Sequence, residues 1–161
     1  MSLIKTNAIQ TLAGKPILNA TGSVLQVIQT LYSTEETVTS STFANTSFAL
    51  AITPSSTSSK VLALCQICLM NYANTGQSSR GNGRLYRNAS NVSGIIVAGG
   101  YNYGGNGVLI NHTAALNWLD SPATTSAVTY TFQMAHIDGT QTRLNYGTNS
   151  ASFMILMEIA G

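Results

Sequence analysis

Apolar and polar positions alternate with a period of two over long parts of the chain. Phe48, Leu50 and Ile52 are interleaved with Ser47, Ala49, Ala51 and Thr53. Val128, Tyr130, Phe132 and Met134 are interleaved with Thr129, Thr131 and Gln133, and Phe153, Ile155, Met157 and Ile159 with Ser152, Met154, Leu156 and Glu158. Successive side chains of a strand point to opposite faces, so each run predicts an antiparallel strand with one face on a core. No window carries apolar residues at helical spacing for three turns; Gly and β-branched residues interrupt every candidate.

The run from Val61 to Met70 differs, because both of its parities are largely apolar. Val61, Ala63, Cys65, Ile67 and Leu69 make one face; Leu62, Leu64, Gln66, Cys68 and Met70 make the other. A strand of a two-layer sandwich has a core on one side only, so the second apolar face calls for another layer. A neighbouring subunit supplies it most simply, which makes Leu62, Leu64, Gln66, Cys68 and Met70 candidate interface residues. The alternative is a central strand covered by a long loop of its own chain.

Turn formers separate the runs: 53–59 (TPSSTSS), 78–84 (SSRGNGR), 99–107 (GGYNYGGNG), 120–122 (DSP) and 137–140 (IDGT). Asp138-Gly139 between two strand-like runs is the sharpest hairpin signal. Short strands with frequent turns over 161 residues predict an all-β antiparallel β-sandwich of jelly-roll type. Residues 1–22 stand apart from this body, with Leu3, Ile4, Ile9 and Leu12 scattered among polar residues without a steady period. They read either as an extended arm ordered against another chain or as a first strand behind a tail; we divide the chain into an arm, 1–22, and a head, 23–161.

Composition narrows the functions. Seven Lys or Arg and five Asp or Glu make the chain 7% charged, against about a quarter in ordinary soluble domains. A net charge of +2 builds no basic face, so nucleic acid is not an expected partner. No stretch approaches 18 apolar residues, so membrane insertion is not expected either. Weakly charged surfaces repel one another little, which favours a regular oligomer over a lone monomer.

The residue types that carry chemistry do not converge. Cys65 and Cys68 form the one CxxC, but on a strand positions i and i+3 face opposite ways and cannot share an ion or a disulfide. His112, placed near a strand end, and His136, on a core parity, have no ligand at motif spacing. Glu35 and Glu36 diverge on a strand, and Asp120 before Ser121-Pro122 reads as a turn former. Arg80, Arg84 and Arg87 gather in eight residues and read as a solvated face rather than an anion site. No enzyme, metal or cofactor is expected. Tyr101, Asn102, Tyr103 and Asn106, in a Gly-rich stretch, have the composition of adaptable contact loops and are the candidate receptor-contact residues; the plainer reading is a long turn.

Three segments add a resemblance. Residues 11–30 (TLAGKPILNATGSVLQVIQT), 52–62 (ITPSSTSSKVL) with 119–133 (LDSPATTSAVTYTFQ), and the ending 152–161 (SFMILMEIAG) resemble small virion structural and tail-fibre proteins of tailed bacteriophages of the cyanophage or marine-phage kind. Residues 71–118 depart from that pattern. The resemblance implies a homotrimeric β-sandwich head in the virion, attached to other virion proteins through its N-terminal segment, with Leu3, Ile4, Ile9 and Leu12 as attachment candidates. A tail-fibre or tail-tip head would contact a host-surface glycan or outer-membrane component. The alternative is a trimeric decoration, or cement, protein on the capsid.

Overall fold

The computed structural model describes residues 21–102 and 106–161. The strands expected at 47–53, 61–70, 128–134 and 152–159 form, as β3, β4, β9 and β11 of the following series: β1 (Val24–Tyr32), β2 (Glu36–Val38), β3 (Ala44–Ile52), β4 (Lys60–Ala73), β5 (Gln77–Arg87), β6 (Ser90–Asn91), β7 (Ile96–Asn102), β8 (Val108–Asp120), β9 (Val128–Asp138), β10 (Gln141–Leu144) and β11 (Ser152–Ile159). All pairings are antiparallel.

β4 organises the first sheet. β8 pairs along its whole length, Val61 to Ala73, on one edge. β11 pairs with Lys60–Gln66 and β10 with Leu69–Tyr72, end to end on the other edge. β1 lies outside β11, and β2 outside β10. In the second sheet β3 borders β9, β9 borders β5, and β7 and β6 share the far edge of β5. The long strands thus run β1-β11-β4-β8 in one sheet and β3-β9-β5-β7 in the other, with most connections crossing between sheets. That order is an eight-stranded jelly roll.

The core fills the gap between the sheets. Val61, Ala63, Cys65, Ile67 and Leu69 of β4 face Phe48, Leu85, Tyr130, Phe132 and Met134, all buried. Phe48 stacks on Tyr32, ring centroids 5.4 Å apart, and tilts against Phe132 at 6.4 Å. Burial pushes the Cys65 thiol up to about 12, so it behaves as a small apolar group.

Glycine misleads in the expected turns. Residues 78–84 are the middle of β5, because a Cβ on Gly81 would lie 2.5 Å from Thr142 Cγ2 and one on Gly83 2.5 Å from the Phe132 ring. Gly81 lets the opposite sheet approach and Gly83 makes room for a ring from the neighbouring strand; neither turns the chain. The stretch 99–107 likewise begins inside β7, where a Cβ on Gly99 would meet the Ser79 carbonyl oxygen at 2.7 Å. Gly139 does take a turn conformation, φ +96°, yet no hairpin follows. β10 joins β4 and β2 in the opposite sheet, so Arg143 sits beside Met70 and Thr37.

Buried polar groups close the two ends. At one, Arg87 pairs with Asp120 at 2.8 Å, and Tyr130 donates to the same carboxylate at 2.7 Å. Asp120 is therefore an ion-pair residue, not a turn former. Burial, then the Asp120 contact, pushes the Tyr130 hydroxyl well above the usual phenol range. At the other end Thr142 donates to Asn71 Oδ1 at 2.7 Å and Asn71 Nδ2 to the Ala98 carbonyl at 2.9 Å. His136 Nδ1 lies 3.2 Å from Thr142 Oγ1, whose proton is already committed, so the imidazole is the donor there. His112 lies inside β8 rather than at its end.

Candidate functional site

The feature that stands out is the outer face of the β1-β11-β4-β8 sheet. The register brings Leu62 beside Met157 and Leu119, Leu64 beside Ile155 and Asn117, and Gln66 beside Phe153 and Ala115. On the next strand Met157 faces Val27, Ile155 faces Gln29 and Phe153 faces Leu31. All of these point away from the core, since the opposite parities, Val61 to Leu69 on β4 and Met154 and Leu156 on β11, are buried inside it. Leu31 is 71% exposed, Val27 55% and Leu119 51%. From Thr113 to Leu119 on β8, across Leu62 to Cys68, and over to Val27–Leu31 on β1, the outward positions carry no charged side chain.

A one-sided antiparallel sheet ordinarily turns polar residues to water. β11 does the reverse: its larger apolar set, Phe153, Ile155 and Met157, faces out, while the inner set ends in Glu158. The inward carboxylate survives because its environment is built for it. Ser55 donates from its amide at 2.7 Å and its hydroxyl at 2.6 Å, and Gln26 Nε2 donates at 2.6 Å. Burial opposes ionisation, but the bonds from Ser55 and Gln26, with the nearby Ser59 hydroxyl, outweigh it and hold the carboxyl down at about 2.

Of the expected interface residues, Leu62, Leu64 and Cys68 are half-buried on this face and Gln66 is exposed. Met70 is a correction. It is 1% exposed and lies beside the 145–151 turn, whose Tyr146 and Ser150 line a small cavity with it, so its own chain already covers it. Phe153, Ile155 and Met157, which the alternation put on the core side, turn outward because Met154 and Leu156 take the core, and they complete the face with Val27, Leu31 and Leu119, which escaped sequence reasoning. The signal was there for β11, since Phe153 to Met157 are five consecutive apolar residues, the same two-sided pattern as 61–70.

The expected receptor-contact residues divide. Tyr101 is half-exposed and donates its hydroxyl to the Gly76 carbonyl at 3.0 Å. Asn102 is a second correction: it is 5% exposed, and its amide donates to the carbonyls of Ala73 and Asn106, latching the loop base. Asn106 is exposed, and Tyr103 lies outside the described residues. So do Leu3, Ile4, Ile9 and Leu12. The described chain starts beside the C-terminus, where Gly22 N donates to the Ala160 carbonyl at 2.7 Å. Tyr101 and Asn106 are at the opposite end of the sandwich, since Ala73 pairs with Val108 there while Lys60 pairs with Ile159 here.

The three arginines do not form one site. Arg80 pairs with Asp138 at 3.2 Å, Arg87 with Asp120, and Arg84 lies 4.1 Å over the Phe43 ring and donates to Gln133 at 2.7 Å. Among the described residues no three His, Cys, Asp or Glu are placed to hold a metal ion.

No protein-family profile matches the sequence, and no curated protein matches it. Solved structures with a similar chain course include capsid proteins of infectious bursal disease virus. The VP2 subviral particle aligns with TM-score 0.43 at 12% identity, over 96% of this chain and 38% of that one. A VP2 mutant of the same virus gives 0.38 at 10% identity, over 96% and 41%, and the Gx strain gives 0.32 at 10%, over 88% and 38%. The chain therefore spans less than half the length of those capsid proteins.

Proposed function

We propose that this chain is a structural protein of a phage virion, a self-associating jelly-roll head that works as a homotrimeric tail-fibre or tail-tip component. The observation that carries the reading is the uncharged apolar outer face of the β1-β11-β4-β8 sheet. Left in water, such a face is a sticking surface; covered by further copies of the chain, it is an assembly surface. The resemblance of residues 11–30, 52–62, 119–133 and 152–161 to phage virion proteins supports placing that assembly in a particle.

The two-ended layout supports the adhesive form of the reading. Residues 1–22 join the head at the Gly22–Ala160 end, and in this reading they serve as the particle-attachment arm and 23–161 as the head. Tyr101 and Asn106 sit at the far end, the side that would face a host glycan or outer-membrane component. Three weak sites on one rigid head would act by avidity. No catalytic role is part of this reading.

Multi-angle light scattering of the full chain at micromolar concentration should return the mass of three copies; a monomer overturns the proposal. Antibody labelling of intact particles should then decorate tails. Label on the capsid instead replaces the adhesive reading with that of a decoration protein clamping the shell.

A further inference from the structure

We infer that three copies close into a triangular tube, the outer faces of their β1-β11-β4-β8 sheets turned toward the axis and the β8 edge of each copy lying against the β1 edge of the next. The inference rests on the self-association reading above and specifies its geometry.

The edges call for it. β1 and β8 border the four-strand wall β1-β11-β4-β8, the three-residue β2 lying beyond β10 outside it, and the exposed large apolar side chains concentrate there, among them Val27 and Leu31 on β1 and Leu109, Trp118 and Leu119 on β8. Natural sheets keep free edges apart with charged side chains, proline or short strands. Lys, Arg, Glu and Pro are absent from Val24–Tyr32 and from Val108–Leu119, and the strands are 9 and 13 residues long. Such edges are built to be covered.

Strand direction allows them to cover each other. β1 runs against β11, β11 against β4, and β4 against β8, so β8 runs opposite to β1. Rotation about an axis along the strands preserves direction. The β8 of one copy therefore meets the β1 of the next antiparallel, a head-to-tail contact that closes as a ring.

Width selects three copies. Four strands about 4.8 Å apart make a wall ~19 Å across, and three such walls enclose a triangle whose centre is ~5.5 Å from each, close to half the ~10 Å between packed sheets. Side chains of Leu64 and Ile155 then fill the axis. Four walls would leave each sheet ~9.5 Å from the axis, too far for side chains to meet. The seven-residue overlap of β4 with β11 gives a face of roughly 440 Å² per copy, about half of the ~800 Å² per partner typical of stable interfaces. The edges have to supply the remainder.

Two variants of the full chain test this. Val27→Lys with Leu31→Lys spoils the β1 edge and leaves β8 intact; Leu109→Lys with Leu119→Lys does the converse. All four residues are exposed, so each variant should keep its β-sheet circular dichroism, and Gln versions serve if a Lys pair unfolds the head. Each variant alone should fall threefold in mass to a monomer. Mixed in equal amounts, they should form a one-to-one dimer, because one intact β8 edge then meets one intact β1 edge. Variants that stay trimeric, or a mixture that stays monomeric while the wild type is a trimer, overturn the edge pairing but leave the assembly reading standing. A monomeric wild type overturns both.

Discussion

On β9 and β5 the outward side chains are Thr129, Thr131, Gln133, Arg84, Asn82 and Arg80; on β11 and β4 they are Phe153, Ile155, Met157, Leu62, Leu64 and Gln66. The two sets belong to the same sandwich and sit on strands with the same alternation. Much of the first is satisfied within the chain: Arg84 donates to Gln133, Gln133 donates to Asn45 at 2.7 Å, and Arg80 is held by Asp138. The second, Gln66 apart, has no polar group to offer a network and meets water as hydrocarbon. A polar outer face is complete in a monomer, whereas an apolar one is complete only when another surface removes it from water. The contrast shows which side of the molecule is finished and which is half of something.

The largest effect should come from charging the two faces in turn. Ile155→Asp is expected to weaken self-association at least ~30-fold, about 2 kcal/mol, by forcing a carboxylate into an apolar interface. Thr131→Asp, at an equivalent place on the other sheet, should leave the mass unchanged. Equal behaviour of the two variants in light scattering would erase the contrast.

A smaller effect tests what the sheets share. Gly83→Ala brings a methyl group within 2.5 Å of the Phe132 ring and should cost about 1–3 kcal/mol by overpacking, read from the urea midpoint. Gly94, with nothing within 4 Å of its Cβ position, is the neutral control. A harmless Gly83→Ala would mean that the inner gap is slack and that the outer faces are not the only difference between the sheets.

Acid probes Glu158, the inward carboxylate of β11. Glu158 titrates at about 2 in the fold against an ordinary 4.5, so its contribution is fully present above pH 4.5 and is lost as pH falls toward 2. The urea midpoint should decline through that window, and Glu158→Gln should flatten the decline. An unchanged slope in the variant would refute the assignment.

The smallest effect belongs to the polar face. Arg84→Ala removes a contact with Phe43 and a bond to Gln133 and should cost no more than about 1 kcal/mol, with no change in mass. A larger loss would show that this face, too, holds the molecule together.

Much of this was legible beforehand. Alternation at 47–53 and 128–134 located β3 and β9 and their inward residues, because a strand's two faces are written at adjacent positions. The two apolar parities of 61–70 pointed to the outer face of β4. Gly81 and Gly83 were misread as turn formers, since a missing side chain looks the same whether the chain must bend or a neighbouring group must fit against it. Asp138-Gly139 was misread as a hairpin because a turn signal says that the chain reverses, not which sheet receives it. The outer face itself was only partly visible, since Phe153, Val27, Leu31 and Leu119 come from strands distant in sequence.

Composition and period-two patterning, by themselves, determined an all-β chain of low charge, the positions of its main strands and one strand with two apolar sides. These are local properties, carried by neighbouring residues and the fixed geometry of an extended backbone. Which strands became neighbours, which side of β11 faced inward, and that four separate stretches would merge into one uncharged surface were decided by tertiary pairing alone. Glu158 shows why. Its carboxylate marks the wrong side of β11 as exposed until Ser55 and Gln26, brought from far along the chain, supply the hydrogen bonds that let it lie inside.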